Sequence, residues 1–403
     1  MKALTVFIII IIGIILSGPA HSGGWADLGL NDLWINTVQV AGSYVYAGTE
    51  DGLYRMNPDI DPSDWTLLGL TGLDISAVLV ISDDTVYAGV REGEVNIYRT
   101  NDGGDNWIPF HNDYGGGGAE FLLAFERMPG RSDTLFAGGL AVVARSTDSG
   151  NSWQPQWGFW GGMANGVAFI KVDPYRPHIV WAGGEATLFA PWLLKSTDGG
   201  GTWSSLDIYH LGDNRCHDIA ILPGSTDTAW VSMEGRVRKT TDGGEHWADI
   251  LVNNYYLYGI EIDSLRPENL YLSGYRYDQP LTIFFSRDYG NDWDTLYEQS
   301  YPLNGALDID MVCRPRSNTI YLATMHGVFR YIDEPVFICG DINADAVVNI
   351  IDIIVLIDYK YKGGPAPEPL ECADANSDGA VNILDIVYLI NYKYKDGPAP
   401  DCP

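Results

Sequence analysis

Residues 196–203 read Ser-Thr-Asp-Gly-Gly-Gly-Thr-Trp, and this stretch decides the fold because its pattern recurs along the chain. The signature Ser/Thr-x-Asp-x-Gly-x-x-Trp occurs five times, beginning at Thr100, Ser146, Ser196, Thr240 and Ser286, and an earlier segment keeps only Trp65. The Asp can accept backbone N–H groups in a tight turn, the Gly permits a positive φ, and the Trp can pack between neighbouring units. We therefore expect these aspartates to hold turns rather than to catalyse a reaction.

A second recurring feature is an aromatic residue within an alternating apolar stretch, which is typical of a β-strand. Seven such residues lie 41 to 50 positions apart: Tyr46, Tyr87, Phe136, Trp181, Trp230, Tyr271 and Tyr321. A further strand follows each of them, and turn residues separate the strands. Repeats of this length with four short strands are typical of β-propeller blades. The sequence predicts an all-β seven-bladed β-propeller.

The ends of the repeat region predict how the ring closes. Repeat seven stops without a fourth strand, whereas Trp25-Ala26-Asp27-Leu28 stands alone and is similar to Trp247-Ala248-Asp249-Ile250, the fourth strand of repeat five. We expect residues 25–30 to complete the last blade, which removes two exposed sheet edges. The predicted propeller domain covers residues 24–333, a short linker covers 334–338, and a second module covers 339–403.

At its signature residues the chain resembles the Asp-box (BNR-like) repeat propellers of sialidases, xyloglucanases, sortilin-type receptors and photosystem II assembly factors. The resemblance spans residues 25–333. A sialidase would also require an arginine cluster and an Arg-Ile-Pro segment near the first blade, where this chain reads Leu53-Tyr54-Arg55-Met56. The resemblance therefore implies the fold but transfers no catalytic residue from the sialidases.

The net charge and the N-terminal residues predict the partners and the localisation of the protein. The chain has 24 Lys+Arg against 53 Asp+Glu, and its formal net charge of −29 argues against nucleic-acid and anionic lipid partners. Residues 1–22 combine Lys2, an apolar run and small residues, which is typical of a secretion signal peptide. A membrane anchor is the alternative, but the apolar run is short for a bilayer. We predict a secreted protein, extracellular or attached to a cell surface through a scaffold, without a membrane span after processing.

The loops opposite the signature turns carry the candidate binding and catalytic residues. Three glutamates at equivalent positions, Glu50, Glu185 and Glu234, are candidates for a catalytic pair, because glycoside hydrolysis requires two carboxyl groups. A solvated charged rim is the alternative. Aromatic side chains in the loops between blades are candidates for binding sugars or proteins, or else they cover the core: Tyr114, Trp157, Trp160 and Tyr255.

Two segments offset by 33 residues, 341–352 and 374–385, place side-chain oxygens at positions 1, 3, 5, 9 and 12 of a loop. Hard oxygen donors at this spacing are typical of EF-hand-like calcium loops. The predicted ligands of two Ca²⁺ ions are Asp341, Asn343, Asp345, Asn349 and Asp352 in the first loop, and Asp374, Asn376, Asp378, Asn382 and Asp385 in the second. The usual glycine at position 6 is present as Gly379 but replaced by Ala346.

Duplicated calcium loops with a single helix after each, over residues 339–403, resemble a type I dockerin. The resemblance implies a small α-helical domain that folds on calcium and docks to a cohesin domain. It implies contacts through Ile350, Ile351, Ile383 and Leu384. A calcium-stabilised stalk without a cohesin partner is the alternative.

The five cysteines cannot all pair within the chain. A disulfide from Cys339 or Cys372 to Cys402 would clamp the small module, whereas Cys216 and Cys313 lie in the propeller. The sequence leaves this connectivity open.

Together these features predict a recognition protein. Its propeller would bind an extracellular glycan or protein, and its calcium-dependent tail would dock to a cohesin-type scaffold. The alternative is a secreted glycoside hydrolase acting in polysaccharide degradation with rim carboxylates such as Glu185 and Glu234.

Overall fold

The computed structural model describes residues 24–91, 95–110, 122–140, 142–158, 166–186, 190–209, 214–225, 227–302, 304–314, 317–333, 339–343, 347–367 and 370–401. The described residues form two compact units. One covers Gly24–Ile332 and is built of β-strands, and the other begins at Asp333 and contains two α-helices. The predicted all-β propeller with a small α-helical C-terminal domain is confirmed. Residues 1–22, predicted as a signal peptide, lie outside the described residues.

The larger unit contains 26 strands in chain order. The first thirteen are β1 Gly24–Asp27, β2 Ile35–Ala41, β3 Tyr44–Thr49, β4 Gly52–Met56, β5 Thr66–Gly69, β6 Ile75–Val80, β7 Val86–Val90, β8 Ile97–Thr100, β9 Ile108–Phe110, β10 Leu122–Arg127, β11 Leu135–Gly139, β12 Val142–Ser146 and β13 Gln154–Gly158. The others are β14 Gly166–Val172, β15 Val180–Glu185, β16 Pro191–Ser196, β17 Ser204–Leu206, β18 Cys216–Ile221, β19 Ala229–Thr240, β20 Ala248–Ile262, β21 Leu270–Tyr275, β22 Pro280–Ser286, β23 Asp294–Pro302, β24 Ala306–Cys313, β25 Asn318–Thr324 and β26 Gly327–Asp333.

The strands form antiparallel sheets that follow the repeats, with one departure from the predicted count. Repeats one to four each form a four-stranded sheet, but repeats five and six form a single six-stranded sheet, β18–β23. The reason is strand β20, which continues without a turn and pairs first with β19 and then with β21, so that Tyr256 faces both Glu234 and Tyr275. The described residues therefore form six sheets, where the repeats predict seven blades.

Pairing of the chain ends completes the last sheet. Strand β1 pairs with β26, from Gly24 opposite Ile332 to Asp27 opposite Phe329, in the order β1-β26-β25-β24. A second link joins the inner strands, because the Asp308 carboxylate on β24 accepts the Thr37 hydroxyl at 2.8 Å and the Val38 N–H at 3.1 Å on β2. The last sheet is thereby tied to the first.

The signature residues form the same turn five times. In each turn the Ser or Thr hydroxyl donates to the Asp at 2.7–2.9 Å and accepts the Gly N–H at 2.8–2.9 Å. The Asp also accepts a backbone N–H four residues later. Hydrogen bonds from Thr202 and Ser196 hold the pKa of Asp198 well below its usual range. An ionised carboxylate whose oxygens are already hydrogen-bonded in this way stabilises the turn and is not available for catalysis.

The core of the larger unit lies between adjacent sheets. In one cluster Tyr46 and Leu53 of the first sheet pack on Ile75, Val78 and Val86 of the second, and equivalent clusters follow around the unit. The glycine of each complete signature lies close to such a cluster. At Gly200, with φ +80°, a Cβ atom would stand 2.4 Å from the Phe136 ring of the preceding sheet.

The smaller unit contains helices α1 Ile350–Lys362 and α2 Ile383–Tyr394, with a 3₁₀ turn at Leu370–Ala373. Each helix begins with an Asn N-cap and a capping box, formed by Asn349 with Asp352 and by Asn382 with Asp385. Such boxes satisfy free N–H groups at the first turn. Leu356 and Leu389 are fully buried between the helices and the 3₁₀ turn.

The two described cysteines of the smaller unit differ in their bonding. Cys339 is disulfide-bonded, whereas Cys372 is a buried thiol. Of the two cysteines that the sequence offers for the clamp, the structure thus uses Cys339. Cys402, the predicted partner, lies outside the described residues.

Candidate functional site

The propeller encloses a central cavity of about 430 Å³ lined by the innermost strands. Its walls carry charged side chains from strands β10, β14, β18, β20 and β24. Six of them form the channel cluster, consisting of five acids and one lysine: Glu126, Lys171, Asp218, Glu261, Asp308 and Asp310. These six residues were not among the predicted site residues.

Lys171 is the cation of the channel cluster. Its ammonium lies 3.7 Å from Asp218 Oδ1 and 3.4 Å from Glu261 Oε1. Burial by itself lowers the pKa of Lys171, but the surrounding carboxylates outweigh burial and raise it well above its usual value. Burial also raises the pKa of Glu126 and Asp310 to about 7 and that of Asp308 to about 6. The cluster is therefore an ionised lysine among acids that take up protons near neutral pH.

At one end of the cavity a second group of side chains, the rim cluster, brings together residues of three repeats. It consists of Glu185, Arg215, His217, Glu234 and Tyr258. Arg215 Nη2 lies 2.6 Å from Glu185 Oε2, and Arg215 Nε lies 3.9 Å from Glu234 Oε1. Arg215, His217 and Tyr258 also line the cavity. Two carboxylates thus flank one guanidinium at the edge of a polar cavity.

The inner side of the rim cluster is buried. The His217 side chain is 8% exposed, its ring centroid lies 4.5 Å from that of Tyr258, and its Nε2 lies 3.9 Å from Glu234 Oε1. Burial and the nearby Arg215 charge lower the pKa of His217 to about 3. Burial also raises the pKa of Tyr258 to about 12. Both rings are therefore neutral at neutral pH.

The structure brings together two of the three predicted catalytic candidates. Glu185 ends strand β15, and Glu234 lies within β19 and accepts the Asn214 side-chain amide at 2.6 Å. Glu50 is exposed, accepts the Trp34 N–H at 3.2 Å, and is not part of the rim cluster.

Two of the predicted binding aromatics lie within the described residues. Trp157 is half-buried and stacks on Trp192 with ring centroids 5.0 Å apart. Tyr255 is only 8% exposed and packs edge-on against Phe284. Its neighbour Tyr256 is 45% exposed and stacks on Tyr275. Tyr114 and Trp160 lie outside the described residues.

Sequence reasoning missed Arg215, His217 and Tyr258. A strict alternation of polar and apolar residues does not predict them, because His217 and Asp218 are adjacent and Tyr258 and Glu261 are three residues apart. The strands have register shifts at these points, between Cys216 and Asp218 and between Leu257 and Ile260, and all four side chains line the cavity. The sequence alone does not show these irregularities.

In the smaller unit, the second predicted calcium loop surrounds a buried acid. Asp385 is fully buried, and its carboxylate accepts the Asn382 N–H at 2.7 Å and the Asn376 N–H at 3.3 Å. Burial raises the pKa of Asp385, and the nearby charges of Asp374 and Asp378 raise it further. A buried carboxyl group beside two other carboxylates fits a bound hard cation.

The first loop repeats this arrangement where it is described. Asp352 is fully buried and accepts the N–H groups of Ile342 and Asn349, both at 2.7 Å. Asp341 is also buried. Asn349 and Asn382 each accept a helix N–H through their side-chain oxygen, as N-caps do. Asp345 lies outside the described residues.

Comparison with protein families supports the resemblance found at the C-terminus. Residues 339–392 match the family model described as Dockerin type I domain. A type I dockerin domain lies at the C-terminus. Dockerin domains of this type bind calcium and imply a cohesin partner. The four aliphatic residues predicted to contact cohesin, Ile350, Ile351, Ile383 and Leu384, are about half exposed at the first turns of the two dockerin helices.

The propeller is similar to a different group of proteins. A xyloglucanase of Paenibacillus sp. is 25% identical over 317 residues, which cover 64% of this chain and 30% of that protein. The solved GH74 enzyme of Niastella koreensis superposes with a TM-score of 0.59 and 20% identity, over 78% of this chain and 54% of its own. YCF48 from Cyanidioschyzon merolae superposes with a TM-score of 0.57 and 13% identity, over 77% of this chain and 98% of its own. The two structures support the propeller fold, and the chain spans less than a third of the xyloglucanase.

No helix of the described residues is long and apolar enough to cross a membrane. The dockerin domain and the xyloglucanase relative together indicate an extracellular protein.

Proposed function

We propose that the protein is a secreted glycoside hydrolase that acts on a xyloglucan-type polysaccharide and is docked to a cohesin-bearing scaffold. The observation that carries the proposal is the pair of carboxylates, Glu185 and Glu234, on either side of Arg215 at the edge of the central cavity. The xyloglucanase relative supports the substrate class. The dockerin domain supports attachment to a scaffold.

The two carboxyl groups differ in their surroundings, and glycoside hydrolysis needs two different roles. Glu185 lies 2.6 Å from the guanidinium, so that its negative charge is matched and it serves as nucleophile or base. Glu234 Oε1 lies 3.9 Å from the same guanidinium, beyond hydrogen-bond distance, and faces the neutral His217 ring. Glu234 completes the pair of carboxyl groups that the reaction requires.

The experiment is a product-release assay on xyloglucan and related polysaccharides with the full chain. Glu185→Gln and Glu234→Gln keep the size of the side chain but remove the acid–base function, and each should lower the rate at least a hundredfold. Glu245→Gln is the matched control, because Glu245 is an exposed glutamate of a signature turn outside the rim cluster. Wild-type activity equal to background, or equal activity in all variants, would contradict the proposal.

A second candidate function is glycan recognition without hydrolysis, which is the main function predicted from the sequence. One observation favours it, since Arg215 already occupies the space between the two carboxylates. The exposed Tyr256 ring stacked on Tyr275 offers an aromatic face to a sugar. Calorimetric binding of xyloglucan oligosaccharides to the wild-type chain, without product release, would support this second candidate.

For the dockerin domain we propose two calcium sites that use both loops. The ligands would be Asp341, Asn343, Asp345, Asn349 and Asp352 in one site, and Asp374, Asn376, Asp378, Asn382 and Asp385 in the other. The burial of Asp352 and Asp385 among other acids supports the choice. A calcium titration of the full chain that gives one ion per chain, or none, would contradict it. Retention of the chain on an immobilised cohesin domain only with calcium would support docking against the stalk alternative.

A further inference from the structure

The inner side of the rim cluster holds three polar atoms that do not reach one another. Arg215 Nε and His217 Nε2 each lie 3.9 Å from Glu234 Oε1. Both nitrogen atoms are buried and have no hydrogen-bond partner among the described residues. The His217 side chain is more than nine-tenths buried and lines the cavity. A buried polar atom without a partner costs free energy, which indicates that a bound group completes the arrangement.

The chemistry of the three atoms limits what that group is. A separation of 3.9 Å is too long for a direct hydrogen bond, but an oxygen atom about 2.8 Å from both partners fits between them. Arg215 Nε donates and Glu234 Oε1 accepts. A neutral histidine donates at Nε2 when the proton is there. Two donors and one acceptor match the two lone pairs and the single proton of a hydroxyl group.

Other classes of ligand fit less well. A carboxylate or phosphate oxygen lacks a proton for Glu234 and would meet two glutamates. An ammonium group carries no lone pair for the two donors and would meet the Arg215 charge. Because His217 is neutral, the rim cluster has two carboxylates, Glu185 and Glu234, against the single positive charge of Arg215, and it does not attract an anion.

We propose that Arg215, His217 and Glu234 bind one hydroxyl group of a neutral sugar ring, with His217 as a positioning residue. The Tyr258 ring packs edge-on against the imidazole, with ring centroids 4.5 Å apart. The inference deepens the proposed function and rests on it for the choice of a sugar as ligand. It also predicts a substrate preference. A sugar that lacks the hydroxyl group bound by Arg215, His217 and Glu234 should bind more weakly.

The first experiment observes the His217 ring directly in the full chain, by ¹⁵N NMR of the seven histidines with assignment from His217→Gln. Glucose is the probe, and its fully O-methylated derivative is the control without hydroxyl protons. We expect the His217 ring to stay neutral from pH 5 to 8, and its nitrogen signals to shift with glucose in a saturable way but not with the methylated sugar. The proposal would be overturned if the His217 nitrogen signals did not shift with glucose, as expected when water alone fills the site. It would also be overturned if the His217 ring titrated near pH 6.5.

The second experiment compares affinities for a xyloglucan oligosaccharide. His217→Phe should lower the affinity about tenfold, because it removes one hydrogen-bonding group at a buried position. His217→Gln keeps a side-chain N–H and should stay within about threefold of wild type. His246→Gln, at an exposed histidine of a signature turn, should leave the affinity unchanged. Equal affinity of the Phe and Gln variants would overturn the role of His217.

The two proposals fail in distinguishable ways. If the His217 signals shift with glucose but the protein releases no product, the hydroxyl site is supported and the hydrolase proposal is contradicted. If the protein releases product but the His217 signals shift with no sugar, only the hydroxyl site is contradicted.

Discussion

Lys171→Met tests whether the channel cluster depends on its single cation. The substitution keeps most of the side chain but leaves Asp218 and Glu261 without the ammonium that lies 3.7 and 3.4 Å from them. Removing one partner of a fully buried ion pair costs about 3–5 kcal/mol. Because the Lys171 side chain is 34% exposed, water screens part of this effect, and we expect a loss of about 2 kcal/mol at pH 8.

The loss should depend on pH in a direction fixed by the acids. Burial raises the pKa of Glu126 and Asp310 to about 7 and that of Asp308 to about 6. A carboxyl group with a raised pKa in the folded state stabilises the fold at low pH, and this contribution is lost as pH rises through that pKa. Wild type should therefore lose stability from pH 5 to 8. The variant should lose more, because it lacks the cation, and at pH 5 its deficit should fall below about 1 kcal/mol.

The assay is urea unfolding of the full chain followed by tryptophan fluorescence at pH 5 and pH 8. All 13 Trp residues precede residue 334, so the signal reports the propeller alone. The double variant Lys171→Met with Glu261→Gln removes one charge of each sign and should recover part of the loss at pH 8. A deficit that is the same at both pH values, or no recovery in the double variant, would refute the electrostatic account of the channel.

Three further predictions concern the turns, the metal and a helix cap. Gly200→Ala should cost about 2–4 kcal/mol in urea unfolding, because the residue has φ +80° and its Cβ would stand 2.4 Å from Phe136, whereas Gly130→Ala, with φ +76° and open space, should cost about 1 kcal/mol. Removing calcium from the full chain with EDTA should abolish the helical far-UV dichroism of the dockerin domain but leave tryptophan fluorescence unchanged, and unchanged dichroism would count against metal-dependent folding. Asn382→Ala should destabilise the calcium-loaded dockerin domain by about 1 kcal/mol in thermal unfolding, since it removes the N-cap of α2, and an unchanged midpoint would show that the cap is dispensable.

Much of the fold could be predicted because the signature is local. The Ser196, Asp198 and Gly200 groups bond within one turn, so their spacing in the sequence carries the geometry. The fusion of repeats five and six could not be predicted in this way. It depends on strand β20 running on through Tyr256, where a turn between the blades was expected.

The candidate site was predicted only in part, and the reason is also physical. Glu185 and Glu234 occupy equivalent positions of neighbouring repeats, so alignment of the repeats finds both. Arg215 and His217 precede or begin strand β18, and two of their partners, Glu185 and Tyr258, come from the neighbouring repeats. Their polarity is visible in the sequence, but the convergence of side chains from three repeats follows only from the closed arrangement of the sheets.

A crystal structure of the Glu234→Gln variant with a bound xyloglucan oligosaccharide would show directly whether the rim cluster binds the substrate. We expect the glycan at the edge of the central cavity, with oxygen atoms within hydrogen-bond distance of Glu185, Arg215 and His217. An oligosaccharide bound away from the rim cluster, or an empty rim cluster at saturating concentration, would contradict it.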